Sequence, residues 1–324
     1  MSIAASHRAH ASRAWRTAVT IVVMLAAAIA HAAPGDAIAG TLTIVGSDTI
    51  SALVLRWADR FRAEHPDVTL QLQTPGSASA PIALLEGAAD IGMMSRAMSA
   101  DEQNAFFRRY GYAPAGIVVA HDAIVVIVHP DNPLTAITRR ELDAIFSSTL
   151  RCGATAPITR WNELENGVGD RRILVTGRNS ASGTSEFFRE TALCGGDYRK
   201  DVIVWPGHGA TTAAVAANPE AIGYVGIGYV NGLVKPLAFA PDDDAPVVAP
   251  VMENVMSGDY ALSRPLRLYV NWPPDRAPAA LPAAFVAYAL SREAQNDVAG
   301  EGFLPLSERE RETQTELIRA TMAP

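Results

Sequence analysis

Short apolar runs alternate with amphipathic segments along the first third of the chain. Residues 42–45 and 68–72 have the length and side chains of buried strands. Each is followed by a turn rich in serine and glycine and then by a segment with helical spacing. This repeat predicts an α/β fold with a mostly parallel sheet, in which ligands bind at the carboxyl ends of the strands.

The middle of the chain contains one long β-branched run. Residues 117–129 form this run, which ends at His129 and is broken at positions 120–122 by Ala, His and Asp. We interpret this segment as a strand that crosses between two domains, and the apolar residues 266–270 as the return crossing. His121 and Asp122 are therefore predicted to be hinge residues.

The first 32 residues have the features of a secretory signal peptide. A basic start with Arg8, Arg13 and Arg16 precedes the apolar residues 19–29 and the small residues that flank His31. We predict cleavage after Ala32, a periplasmic location and no membrane anchor in the remaining chain.

Charge and cysteine content narrow the function. Cleavage of the leader removes three arginines and no acidic residue. The remaining chain therefore has 24 basic and 34 acidic residues, and its net charge is −10 instead of −7. An acidic chain binds nucleic acid poorly, and we predict that this protein has no nucleic-acid partner. Because an exported chain meets an oxidising compartment, Cys152 and Cys194 are predicted to form a disulfide, with two buried thiols as the alternative.

The strongest chemical signal is the segment 177–184, Gly-Arg-Asn-Ser-Ala-Ser-Gly-Thr. It lies between an apolar run and a helical segment, so backbone N–H groups at the helix start favour an anion there. Arg178 adds a forked cationic donor, and Ser182 and Thr184 add hydroxyls. No lysine stands in the Walker position, which argues against a nucleotide site. The alternative is that Ser182 only caps a helix and Arg178 is a surface charge.

Several turns in order resemble one family, the phosphate-binding proteins of bacterial phosphate-specific ABC transporters. The segments that carry the resemblance are Gly-Ser-Asp-Thr-Ile at 46–50, Gly-Ser at 76–77, Asp-Ile-Gly-Met-Met-Ser-Arg at 90–96, the segment 177–184 and Ile-Gly-Tyr-Val-Gly at 222–226. The resemblance implies a two-lobed type II periplasmic binding fold, with a mostly parallel sheet in each lobe. We expect lobe I to comprise residues 41–121 and 267–324, and lobe II residues 122–266.

The resemblance also implies the ligand and the site. Inorganic phosphate would lie between the lobes of a monomer, held by hydrogen bonds without a metal or cofactor, and would pass to an inner-membrane ABC permease. The residues expected to bind it are Thr49, the N–H of Ile50, Ser77, Ser95, Arg96, Arg178, Ser182, the N–H of Gly183, and Thr184.

One position departs from the family pattern. Many members have an aspartate after the third strand that accepts the proton of hydrogenphosphate, and here Ser95 occupies that position. A serine hydroxyl can both accept and donate a hydrogen bond, so the sequence leaves open whether the site rejects sulfate. Asp48 or Asp90 could replace the missing carboxylate, although Asp90 fits a structural role better.

Three other functions stay open from the sequence. The chain could bind another oxyanion such as sulfate, molybdate or arsenate. It could be a secreted serine hydrolase or phosphatase that uses Ser182 or Ser180, although no motif supplies the base or a catalytic residue. It could also be an exported adhesion or sensory protein that kept the fold and lost transport.

Overall fold

The computed structural model describes residues 38–164, 167 and 169–322, without the side chains of 320–322. The predicted signal peptide lies outside the described residues. Within them, no helix has both the length and the apolar character needed to cross a bilayer.

The predicted alternation of strands and helices is present. The strands are β1 (Gly40–Gly46), β2 (Val68–Gln73), β3 (Ile91–Met94), β4 (Ala115–Val128), β5 (Ala136–Thr138), β6 (Leu174–Arg178), β7 (Ile203–Trp205), β8 (Ala221–Gly226), β9 (Lys235–Pro236), β10 (Ala238–Ala240) and β11 (Ser263–Val270). The α-helices are α1 (Ser51–Glu64), α2 (Ser79–Leu85), α3 (Ala100–Tyr110), α4 (Arg139–Phe146), α5 (Gly183–Ala192), α6 (His208–Ala216), α7 (Met252–Ser257), α8 (Ala280–Ala289), α9 (Arg292–Gly300) and α10 (Glu308–Met322). Short 3₁₀ helices span Trp161–Glu163 and Ile227–Tyr229.

The main sheet contains two groups of parallel strands. Its order is β2-β1-β3-β11-β4-β8-β6-β7, with β9 also paired to β4, and β5 pairs separately with β10. Strands β1, β2 and β3 run parallel, as do β6, β7 and β8. Strand β11 is antiparallel to β3 and β4, and β4 is antiparallel to β8. The predicted α/β class is therefore confirmed, and β4 and β11 connect the two groups.

Strand β4 is the predicted crossing. Its residues 115–123 pair with β11, and its residues 124–128 pair with β8. The strand is continuous through positions 120–122, where the apolar run of the sequence is broken, as the prediction of a single crossing strand requires. It changes partner close to the expected lobe boundary, and the lobe limits themselves stay a prediction.

The disulfide is confirmed. Cys152 and Cys194 are bonded, with their Cα atoms 5.5 Å apart. The bond ties the loop after α4 to the end of α5 and closes a sequence separation of 42 residues. It therefore restrains the helix that starts at the predicted anion loop.

Aliphatic side chains form most of the cores, and aromatic and methionine side chains complete them. Phe188 stacks on Tyr224 with 4.0 Å between ring centroids beneath α5. Met93 and Met94, at the end of β3, are fully buried, which agrees with a packing role and not a metal site. The stacked rings therefore pack α5, which starts at the predicted anion loop, against β8.

Candidate anion-binding site

The turns after the parallel strands meet at one place. The N–H of Gly76, after β2, donates to the carbonyl of Gly46 at the end of β1 over 2.9 Å. The N–H of Ala78 donates to the carbonyl of Ala181, just before α5, over 3.2 Å. The turns of the two strand groups are therefore in direct contact.

Ser77, Ser95 and Gly183 form one cluster. The N–H of Ser95 donates to Ser77 Oγ over 3.1 Å, and the two Oγ atoms lie 3.2 Å apart. A Cβ at position 183 would lie 2.2 Å from Ser77 Oγ and 2.6 Å from Ser95 Oγ, so only glycine fits. All three residues are buried, and the cluster unites three of the predicted ligand residues.

Thr49 and Thr184 form a second cluster. Their Oγ1 atoms lie 3.1 Å apart, although 135 positions separate them in sequence. His208 Nε2, at the start of α6, lies 2.9 Å from Thr49 Oγ1 and 3.4 Å from Thr184 Oγ1. His208 is buried between these threonines and Tyr229, and it is not among the residues predicted from the sequence.

Arg178 is not a surface charge. The residue is 4% exposed, and its Nη2 forms an ion pair with Asp48 Oδ2 and a 3.3 Å hydrogen bond to the carbonyl of Pro206. Within the described residues, Arg178 Nε and Nη1 are buried without a hydrogen-bond partner, and so is Asp48 Oδ1. Unpaired buried donors and acceptors are costly, so these atoms are poised for a ligand.

A second buried arginine adjoins the threonines. Arg264 on β11 donates from Nε and Nη2 to Asp122 Oδ2 on β4, over 3.0 and 2.7 Å. Its Nη2 also lies 2.9 Å from Thr184 Oγ1. Arg264 Nη1 is buried without a partner among the described residues. Asp122 lies on strand β4, where it was predicted. Its carboxylate also binds Arg264, a residue that was not predicted from the sequence.

Ser182 and Ile50 stand at two helix starts. Ser182 Oγ accepts the N–H groups of Thr184 and Ser185 over 3.2 and 3.5 Å, so Ser182 caps α5. Ile50 is the buried N-cap residue of α1. The first N–H groups of both helices point out of the helical ladder and favour negative charge.

Arg96 has a different partner. Its guanidinium makes two 2.7 Å hydrogen bonds to the Glu102 carboxylate, which also belongs to the capping box of α3. Burial lowers the pKa of Arg96, but the hydrogen bonds and the charge of Glu102 together outweigh burial and raise the pKa above its usual value, so the guanidinium stays charged. The structure gives Arg96 a structural contact, and its predicted contact with a ligand stays a prediction.

The charges at the site balance. Arg178 and Arg264 face Asp48 and Asp122 as two ion pairs. Burial, followed by the two arginines, holds the pKa of His208 well below its usual 6.5, so this imidazole is neutral. Within the described residues, no group of three or more His, Cys, Asp or Glu side chains could hold a metal.

Sequence signals for the missed residues exist. Arg264 and Leu266 lie two positions apart on β11, on the same face of the strand, and both are buried. A charged residue therefore occupies a position that the strand pattern assigns to the core. Asp122 is the acidic residue inside the apolar β4. A buried charge requires a partner of opposite charge, so these two positions in the sequence are consistent with a buried pair of Asp122 and Arg264. His208 follows a glycine-rich turn and carries no comparable signal.

Comparison with known proteins agrees with this arrangement. The profile of the PBP superfamily domain matches residues 31–293. Phosphate-binding protein PstS of Pseudomonas aeruginosa is 39% identical over 292 residues, which cover 89% of this chain and 90% of the relative. Phosphate-binding protein PstS of Bacillus subtilis is 30% identical over 274 residues, which cover 83% and 82%.

Solved structures have the same fold. A phosphate ABC transporter substrate-binding protein from Clostridium perfringens, solved with bound phosphate, has a TM-score of 0.68 and 26% identity, covering 83% of this chain and 100% of that one. An ABC-type phosphate transport receptor from Vibrio cholerae has a TM-score of 0.66 and 26% identity, covering 82% and 100%. The two-lobed type II periplasmic binding fold is therefore confirmed, and the chain belongs to the PBP superfamily and, within it, to the family of the phosphate-binding proteins PstS.

Proposed function

We propose that this chain is a periplasmic binding protein that captures inorganic phosphate between two lobes and delivers it to an inner-membrane ABC permease. The proposal rests on Arg178 and Asp48, which lie beside several hydroxyls and carry buried polar atoms that have no hydrogen-bond partner among the described residues. Arginine supplies donors for anionic oxygens, and the free carboxylate oxygen supplies an acceptor for a ligand proton.

The donors suit a small tetrahedral anion. Hydroxyls of Thr49, Ser77, Ser95 and Thr184 converge from three turns and α5, and all four are buried. The N–H groups of Ile50 and Gly183 lie at helix starts beside them. Groups arriving from opposite sides can surround a compact ligand, whereas a nucleotide or sugar would need a longer cleft.

Asp48 favours phosphate over sulfate. A carboxylate accepts a hydrogen bond from hydrogenphosphate, but it faces a lone pair of sulfate, which carries no proton at neutral pH. Asp48 is paired with Arg178, whereas the hydroxyl of Ser95 lies 3.2 Å from that of Ser77. We therefore assign the role of the family aspartate to Asp48. Arsenate, which has the same shape and protonation as phosphate, would bind as well.

The same contacts support binding over catalysis. Ser182 Oγ is occupied by two amides of α5. The imidazole of His208 bonds to two threonines and to the N–H of Gly226. In the described part of the chain, His208 therefore bonds to no serine hydroxyl, so it does not supply the base that a hydrolase using Ser180 or Ser182 would need.

Titration calorimetry on ligand-stripped mature protein tests the proposal. We expect a 1:1 complex with phosphate, a similar complex with arsenate, and at least about 100-fold weaker binding of sulfate, corresponding to about 2.7 kcal/mol. Equal affinity for sulfate would favour a general oxyanion receptor. Absence of binding to all three anions would refute the proposal.

A further inference from the structure

Arg264 on β11 carries a hydrogen-bond donor that no group of the described residues receives. Its Nη1 is buried and has no partner there, and only 1% of the whole side chain is exposed. A buried donor without an acceptor costs free energy, so such an atom calls for an explanation in the function of the protein. The unpaired Nη1 indicates that a further group binds beside Arg264.

The contacts of Arg264 show where that group would lie. Nε and Nη2 both donate to Asp122 Oδ2, over 3.0 and 2.7 Å, so the carboxylate occupies the side edge of the planar guanidinium. The other N–H of Nη2 is on the end edge and donates to Thr184 Oγ1 over 2.9 Å. Nη1 has an N–H on the same end edge, parallel to that of Nη2. An acceptor for this N–H would therefore lie next to Thr184 Oγ1.

That position belongs to the proposed phosphate site. Thr184 Oγ1 lies 3.1 Å from Thr49 Oγ1, and both hydroxyls are expected to bind the anion. Asp48, which precedes Thr49 in the chain, pairs with Arg178. Each of the two threonines is therefore adjacent to one pair of an arginine and an aspartate.

We infer that Arg264 is a second arginine of the anion site and donates from Nη1 to a phosphate oxygen. This inference rests on the proposed function and adds a binding residue to it. Phosphate presents several oxygens, so one can accept from Arg264 while another accepts from Arg178. Asp122 holds the guanidinium in this orientation, and its Cζ atom lies 5.6 Å from the centroid of the Phe187 ring.

A crystal structure of the phosphate complex tests the contact directly. We expect Arg264 Nη1 to lie within about 3.2 Å of a phosphate oxygen, the usual limit for an N–H···O hydrogen bond. A greater distance to every phosphate oxygen, or an Nη1 that is bonded only to water, would refute the inference.

Titration calorimetry of a double variant measures what this contact contributes to affinity. Asp122→Asn/Arg264→Met removes one positive and one negative charge together, so no buried carboxylate is left without its cation. We expect the dissociation constant of phosphate to rise by about 10- to 150-fold, as for the loss of one hydrogen bond to a charged group. Asp297→Asn/Arg60→Met is the matched control, since it removes the ion pair between α9 and α1 and should change the constant by less than about twofold. Equal losses in both double variants would count against Arg264.

A double-mutant cycle separates direct binding from support of Thr184. Thr184→Val removes the hydroxyl that Nη2 contacts but preserves the size of the side chain. If Nη1 binds the anion, adding Asp122→Asn/Arg264→Met to Thr184→Val should still weaken phosphate binding by at least about tenfold. A smaller added loss would show that Arg264 acts through Thr184, and it would refute the inference.

The outcomes distinguish this inference from the proposed function. A wild type that binds no phosphate refutes the proposed function. A wild type that binds phosphate without the Nη1 contact, or a folded double variant with unchanged affinity, refutes the role of Arg264 alone. Thermal unfolding identifies the folded variants, and the structure of the wild-type complex decides the question for any variant that does not fold.

Discussion

Replacing Asp48 by asparagine is the sharpest test of selectivity. Asp48 Oδ2 is paired with Arg178, whereas Oδ1 is buried without a partner among the described residues. Asparagine has nearly the same shape as aspartate, but its amide can donate as well as accept. The substitution therefore removes the carboxylate that we propose to distinguish a protonated from an unprotonated anion, while leaving the size of the site unchanged.

The magnitude follows from two opposing effects on Asp48. A hydrogen bond to a charged group contributes about 1.5 to 3 kcal/mol, so its loss should weaken phosphate binding by about 10- to 150-fold. For sulfate, two unit charges 4 Å apart at an effective dielectric constant of about 20 repel by about 4 kcal/mol, part of which Arg178 offsets. Relief of that repulsion should improve sulfate binding by about tenfold or more.

The ratio of the two affinities is the diagnostic quantity. Removing a negative charge beside Arg178 favours every anion, so either absolute affinity alone would be ambiguous. Competition calorimetry of phosphate against excess sulfate measures the ratio, which should fall by at least about 100-fold. Asp90→Asn is the matched control, because Asp90 accepts the Thr43 N–H over 2.8 Å at the opposite end of β3.

An unchanged ratio in Asp48→Asn would refute this reasoning. Ser95→Ala then identifies the alternative: a loss of selectivity in that variant would assign the proton acceptor to Ser95. Ser95→Asp distinguishes the two cases further. A second carboxylate should sharpen selectivity if Ser95 is the acceptor, and should weaken phosphate binding if Asp48 already holds that role.

Arg178→Ala should weaken phosphate binding by about 2 to 4 kcal/mol in calorimetry, with Arg178→Lys recovering only part, and unchanged affinity would place the anion elsewhere. Gly183→Ala should abolish binding without unfolding the chain, as judged by calorimetry and circular dichroism, because a methyl group would collide with the serine hydroxyls. Reducing Cys152–Cys194 should lower the free energy of unfolding by up to about 4 kcal/mol in urea titrations, and no change would contradict the loop-closure argument. Because folding lowers the pKa of His208, stability should be full above pH 6.5 and fall by up to about 1.4 kcal/mol per pH unit below it, a dependence that His208→Gln should reduce.

The local parts of the site could be predicted from the sequence. Gly-Ser turns between an apolar run and a helical segment specify strand ends and helix starts, and the structure places β1, β2 and β6 before such turns. Backbone geometry at these turns depends on neighbouring residues, so short motifs suffice. The Ser182 cap of α5 is of this kind, since the hydroxyl bonds to residues two and three positions away.

The long-range parts could not be predicted in this way. Arg264 meets Asp122 because β11 lies antiparallel to β4 with these two residues in register, and sequence spacing contains no such information. His208 meets Thr49 across 159 positions. Helix α3 could not be predicted from apolar spacing, because Phe106 is its single buried residue. Its start is specified instead by the Ser99 capping box.

The paired charges explain how an acidic chain can bind a dianion. Arg178 and Arg264 are each matched by an aspartate, and His208 is neutral, so the site has little net charge of its own. Affinity must therefore come from aimed N–H and O–H groups, which act over about 3 Å, while surface carboxylates are screened beyond about 8 to 10 Å. Such a site distinguishes ligands by where their protons lie more than by total charge. Phosphate and sulfate can both be dianions of the same shape, so under the proposed assignment the position of one acceptor, Asp48 Oδ1, among many donors would separate them.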